Sequence, residues 1–173
     1  QQISVAITGA NDAAVISGPV TGSVTEDGAA TAAGTLTVLD PDAGQSGFVA
    51  ASSLAGTYGT FTFDASSGAW GYTLDSMRAA TQGLGAGVVA HDILTVHSID
   101  GTAQQIDVAV NGVNDPASIA GTSTGAVTED PASQTTAGGT LTVLDADAGQ
   151  NVFAAVPPAS LNGTYGTFTF NAS

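Results

Sequence analysis

The sequence predicts an all-β chain of β-sandwich domains in tandem, with one short helix per repeat. Three observations lead there. First, the 173-residue chain repeats itself: QQISVAITGAND at Gln1–Asp12 returns as QQIDVAVNGVND at Gln104–Asp115, and VTED at Val24–Asp27 returns at Val127–Asp130. GTLTVLD occurs at Gly34–Asp40 and Gly139–Asp145, and GTYGTFTF at Gly56–Phe63 and Gly163–Phe170. The offset grows from 103 to 105 to 107 residues, so two loops of the second copy are each two residues longer. A period of about 100 residues exceeds a solenoid coil and matches a complete small domain. Second, Gly, Ala, Ser and Thr dominate, and short apolar alternations lie between turn signals, which is the pattern of strands. Third, hydrophobic residues make up 43% of the chain, enough for a packed core in each copy.

The strands of one copy follow in order. Ala13–Ser17 and Val20–Thr25 come first, then Thr35–Leu39, with Leu36 and Val38 on one face. A weak strand lies near Phe48. Thr57–Phe63 turns Phe61 and Phe63 inward. Ala65-Ser66-Ser67-Gly68 is a turn, and Ala69–Leu74 returns with Trp70 and Tyr72 on a shared face. Asp75–Gln82 is the only helical segment, with Asp75 as its N-cap. Ile93–His97 and Gln105–Val110 flank the Asp100-Gly101 turn, with Ile106, Val108 and Val110 on one side. Seven or eight strands in about 100 residues is the complement of an immunoglobulin-like sandwich; an up-and-down barrel fits less well. The repeat frame runs between Asn-Asp pairs. Residues 1–10 are then the last strand of a preceding repeat, 11–113 a complete repeat, and 114–173 the first part of the next. A partial sandwich exposes core and strand edges. Continuation of the chain is the preferred reading; the alternative is a neighbouring chain that supplies the missing strands, with Gln1–Ile7 as a donor.

The charge is lopsided. Fifteen acids face one basic residue, Arg78, giving a net charge of −14. That excludes binding to nucleic acid or anionic lipid, which requires Lys and Arg, and favours divalent cations as counter-charge. Cysteine is absent, so disulfides and thiolate metal sites are excluded. No apolar run is long enough for membrane insertion. Eleven of the 15 acids fall in motifs: Asn11-Asp12 and Asn114-Asp115, Glu26-Asp27 and Glu129-Asp130, Asp40-Pro41-Asp42 and Asp145-Ala146-Asp147, and Asp100. Each motif ends a strand or joins two copies, where carboxylates from several loops converge. Calcium takes six to eight oxygens from such groups. The competing reading is that Asp, Asn and Gly simply form turns.

Enzymatic readings are weak. His91 and His97 share a strand face near Asp92 and Asp100, but no nucleophile completes a site, and surface histidines are the simpler account. Gly83-Leu84-Gly85-Ala86-Gly87 has neither the basic residue nor the preceding strand of a phosphate loop. Trp70 and Tyr72 suit a core better than a sugar platform.

The ordered motifs NDAAVISG, SVTEDG, GTLTVLDPDAG, GTYGTFTFDASSGAWGYTLD, SIDGT and VNGVND resemble the VCBS-type repeat of very large secreted bacterial adhesins. More distantly they are similar to cadherin repeats. The resemblance implies calcium between successive repeats. Asn11, Asp12, Asp40, Asp42 and Asp100 would form the upper site of the complete repeat. Glu26 and Asp75 would lie at its lower end, with Asn114, Asp115, Asp145 and Asp147 completing the next junction. Asp75 lacks the second acid of the cadherin motif, and the linker has one Asn-Asp pair, so fewer ions per junction are expected than in cadherins. The implied function is non-catalytic: a calcium-stiffened stalk or filament segment of a cell-surface adhesin, supporting adhesion and biofilm formation and exported by type I secretion. Its partners would be neighbouring repeats and identical chains. A carbohydrate- or protein-binding module, with Tyr58, Trp70 or Tyr72 exposed, and a repeat appended to a secreted enzyme are the alternatives.

Overall fold

The computed structural model describes residues 1–129 and 135–172. The chain divides into two compact units, Gln1–Val113 and Asn114–Ser173. In the first unit the strands are β1 (Val15–Ser17), β2 (Thr21–Thr25), β3 (Thr31–Thr35), β4 (Thr37–Leu39), β5 (Gly59–Asp64), β6 (Ala69–Leu74), β7 (Val89–His97) and β8 (Ala103–Asn111), with a one-turn helix α1 (Ala79–Gln82) between β6 and β7. One sheet has the order β2-β8-β7 and another the order β3-β6-β5, while β1 pairs with β4. The fold is an all-β sandwich.

Each sheet sends one face of alternating residues into a shared core. Ile106, Val108 and Val110 of β8 are fully buried, as are Val24 of β2 and Val96 of β7. Leu36, Phe61, Trp70 and Tyr72 come from the opposite layer into the same cluster. Each such side chain contributes about 1.5–3 kcal/mol by leaving water. The Phe61 and Tyr72 rings meet edge to face at 4.8 Å. Trp70 donates its indole N–H to the Pro19 carbonyl at 2.9 Å, which satisfies the one polar atom of a buried ring.

β2 runs parallel to β8, from Thr21 opposite Asp107 to Thr25 opposite Asn111. That pairing puts Glu26, the ends of β6 and β8, and α1 at one end of the sandwich. The β7–β8 turn, the end of β4 and the start of β1 lie at the other. The expected strand Thr35–Leu39 is in fact two. β3 pairs with β6 and β4 pairs with β1, and the chain changes partners at Leu36, whose N–H donates to Gly68 O. The Phe48 segment makes a single bridge to Ser98.

The helix is a correction. Asp75 does not cap a helix over Asp75–Gln82. Its carboxylate accepts the Met77 N–H in a turn, and only Ala79–Gln82 is helical, with Arg78 at the cap position. A short turn that spends its acid locally leaves too few residues to propagate a helix. Gln1–Ile7 forms no strand, and Ile3, Val5 and Ile7 are exposed.

In the second unit, β9 (Ser118–Gly121) pairs antiparallel with β10 (Leu141–Leu144), from Ser118 opposite Leu144. This is the register of Val15 opposite Leu39 in the first unit. A 3-10 turn spans Pro158–Leu161. Phe153 and Phe170 repeat the edge-to-face contact of Phe48 and Phe63, at 5.4 and 5.3 Å. No helix of the described residues is long and apolar enough to cross a membrane.

Candidate functional site

The acidic motifs build the same latch twice. In the first unit the Asp12 N–H donates to Asp42 Oδ2 at 2.9 Å, and the Asp42 N–H donates to Asp40 Oδ1 at 2.7 Å. In the second unit the Asp115 N–H donates to Asp147 Oδ2 at 3.0 Å, and the Asp147 N–H donates to Asp145 Oδ1 at 2.9 Å. Asn11 and Asn114 each turn their amide onto the following aspartate's carbonyl. The Asp-x-Asp spacing is thus an Asx turn whose second carboxylate grips the entering linker.

Both latches leave a carboxylate oxygen over. Asp40 is 7% exposed and its Oδ2 accepts no hydrogen bond; Asp147 is 1% exposed and neither does its Oδ1. A buried anionic oxygen without a donor is costly unless a cation reaches it. Such oxygens fit a hard divalent ion. Yet among the described residues no three acidic or histidine side chains gather into a metal-holding group.

Asp100 is placed beside this end but is used differently. Its carboxylate accepts Ser98 Oγ, the Ala14 N–H at 3.0 Å, and Thr102 Oγ1 at 2.7 Å. These bonds, Ser98's first, hold its pKa well below the usual carboxylate range. It ties the β7–β8 turn to the chain entering β1.

At the opposite end Glu26 is 1% exposed and accepts Gln82 Nε2 at 3.0 Å and the Val113 N–H at 3.3 Å. It follows β2 at a turn where Asp27 takes φ +52°, a left-handed conformation that Asp tolerates. Glu26 therefore fastens α1 and the exit of β8. Asp75 is not joined to it. Asp75 pairs with Arg78 at 3.2 Å, and Arg78 also donates to the Gly56 and Thr57 carbonyls. Asn114, Asp115, Asp145 and Asp147 belong to the second unit. Asp130, from the repeated VTED motif, lies outside the described residues.

Sequence reasoning gave Asp92 no structural role. It is 4% exposed and its carboxylate accepts the N–H groups of Thr57, Tyr58 and Gly59 and the Tyr72 hydroxyl. Burial, then this hydrogen bond and the Asp92 charge, push the Tyr72 phenol far above its ordinary range. The two glycines of GTYG are a local trace of a close approach, but they do not identify the carboxylate. A Cβ on Gly56 would lie 2.2 Å from Asp92 Oδ2, and one on Gly59 would lie 2.6 Å from the Tyr72 hydroxyl. The glycines let the backbone close on the carboxylate.

The tempting alternatives dissolve. His91 and His97 are exposed, and His91 Nδ1 lies 2.8 Å from Asp107 Oδ1 across the sheet surface. Trp70 and Tyr72 are core residues, which leaves a sugar platform without two of its three rings.

A sandwich with parallel β2 and β8, a glutamate after β2 and an Asp-x-Asp after β4 defines a cadherin-like repeat. The family model described as the bacterial cadherin-like domain matches residues 11–112, and the chain belongs to that family. No curated protein matches it.

Proposed function

We propose that this chain is a structural module, a stalk or filament segment of a bacterial cell-surface adhesin, stiffened by calcium. One observation carries the reading. Each latch buries a carboxylate oxygen that lacks a hydrogen-bond donor, on the first aspartate (Asp40) in one unit and on the second (Asp147) in the other, in a chain of net charge −14. Asp12, Asp40 and Asp42 would hold an ion in one unit, and Asp115, Asp145 and Asp147 in the other, with Asn11 and Asn114 beside them. Calcium would neutralise the like charges that otherwise loosen the linker. Asp100, Glu26 and Asp75 already accept hydrogen bonds within their own turns and ends, and they stand outside these two sets. The chain would act outside the cell, beside neighbouring repeats, without catalysis. The sequence resemblance to VCBS-type repeats supports type I export and a role in adhesion and biofilm formation.

The test is thermal melting and hydrodynamic size of the chain with calcium and with chelator. Calcium should raise the melting temperature and narrow the distribution of sizes. Identical values in both conditions would sink the calcium reading.

A further inference from the structure

Two of the six asparagines begin a triplet of the form Asn-x-Ser/Thr, Asn162-Gly163-Thr164 and Asn171-Ala172-Ser173. The first copy has Ala55 and Asp64 at those places. Such a triplet takes a sugar where it lies on an accessible surface turn, so its placement decides what it is worth. Asn162 ends the 3-10 turn in an extended conformation, with φ −90° and ψ 119°. The Gly163 N–H then donates to Gly166 O at 2.8 Å, and Asn162 bridges to Thr167. The first unit builds the same turn: the Gly56 N–H donates to Gly59 O at 3.0 Å, and Ala55 bridges to Thr60. The turn is thus local to the letters GTYG and does not depend on what surrounds it. Asn162, Gly163 and Thr164 are exposed, and so are Ala55 and Thr57 in the first unit's sandwich. Asp92 grips that turn through backbone N–H groups alone, which leaves both residues in water. The amides of Asn11, Asn111 and Asn114 are spent on protein acceptors, whereas among the described residues the Asn162 amide makes no such bond.

We propose that Asn162 is the acceptor of an N-linked sugar supplied by a sugar diphosphate donor. The step is a displacement. Asn162 Nδ2 forms a bond to the anomeric carbon, and the bond from that carbon to the diphosphate oxygen breaks. The diphosphate leaves with the electron pair, and one amide proton passes to a base of the transferase. A carboxamide nitrogen is a poor nucleophile, and the Thr164 hydroxyl two residues on is the group that orients it. The counterpart of the second triplet displays that geometry, since Ser66 Oγ donates back to Asp64 Oδ1 at 2.7 Å. The site uses no residue of either latch, so its failure and the failure of the calcium reading are separate.

The folded chain is incubated with a soluble transferase specific for Asn-x-Ser/Thr and UDP-glucose in one arm. In the other it meets an oligosaccharyltransferase and a lipid-linked oligosaccharide, and peptides from both are mapped by mass spectrometry. Sugar should appear on Asn162 in at least one arm, which identifies the form of the donor, and on none of Asn11, Asn111, Asn114 and Asn151. Thr164→Ala should lower occupancy at least tenfold, and Thr164→Ser should keep it. Ala55→Asn places the same triplet on the turn of the first unit, where Trp70 emission verifies the fold, and should be occupied to a similar extent. The proposal is overturned by a folded chain left bare at Asn162 in both arms, or by occupancy that survives Thr164→Ala. It is equally overturned by an Ala55→Asn site that is bare in the folded chain and occupied once the chain is unfolded.

Discussion

Asp92 should be the most sensitive polar position in the first unit. Replacing it with alanine removes the acceptor of Thr57 N at 2.7 Å, Tyr58 N at 2.9 Å, Gly59 N at 3.2 Å and the Tyr72 hydroxyl at 2.7 Å. The four donors are not equivalent. Thr57 is exposed and Tyr58 half-buried, so water replaces much of what they lose, whereas Gly59 and Tyr72 are buried. A buried donor left without a partner costs about 1–3 kcal/mol, so two such donors make Asp92→Ala cost about 2–6 kcal/mol. Asp92→Asn should cost less, about 1–3 kcal/mol. Its amide oxygen in the Oδ2 place still accepts Tyr58, Gly59 and Tyr72, and only the NH2 group opposes Thr57. A domain is stable by about 5–15 kcal/mol, so the alanine variant is left marginal. The chain has one tryptophan, Trp70, in the core of this unit, so urea titration of the whole chain followed by Trp emission reads the effect directly. An Asp92→Ala midpoint indistinguishable from the parent would refute the role of this carboxylate. An asparagine variant as damaged as the alanine one would refute the hydrogen-bond account.

The other expectations concern the turns and the Glu26 fastening. Gly59→Ala should destabilise by about 1–3 kcal/mol, since its Cβ would lie 2.3 Å from the Thr73 carbonyl. Its counterpart Gly166→Ala has nothing within 4 Å and should change the melting temperature little. Asp64 accepts Ser66 Oγ and N–H and Ser67 Oγ, which lower its pKa to about 2. Its folded value lies below the unfolded one of about 3.9, so its contribution is full above about pH 4 and is lost as pH falls through about 2. Carboxyl NMR should show that titration, and Ser66→Ala should move it upward. Glu26→Ala should cost about 1–2 kcal/mol, since Gln82 is half-buried and Val113 exposed and water replaces part of what the Gln82 amide and the Val113 N–H lose. Hydrogen exchange should show the Val113 amide losing protection.

The two copies show which parts of this fold are local and which are not. Period-two alternation located β6 at Ala69–Leu74 and put Ile106, Val108 and Val110 on the core face, because a strand with one buried face declares itself in sequence. The Asp-x-Asp motifs were legible as turn formers at strand ends, since each folds on itself within one turn, but the bond from the linker to the second aspartate, about thirty residues away, was not. It forms in both units, with matching distances from Asp12 to Asp42 and from Asp115 to Asp147. Asp92 was not legible, because its donors lie twenty to thirty-five residues away and nothing local to HDIL marks a carboxylate that will be buried. The strand GTFTF makes the point most sharply. Gly59–Asp64 is β5, paired along its length with β6. The same letters at Gly166–Phe170 form no strand: they make the bridge from Asn162 to Thr167 and backbone bonds to Gly163 and Leu161, and Phe168 lies open. Local propensity is identical in the two places, so the difference is the partner. Strand content in this chain is set by the partner each segment finds rather than by its own letters.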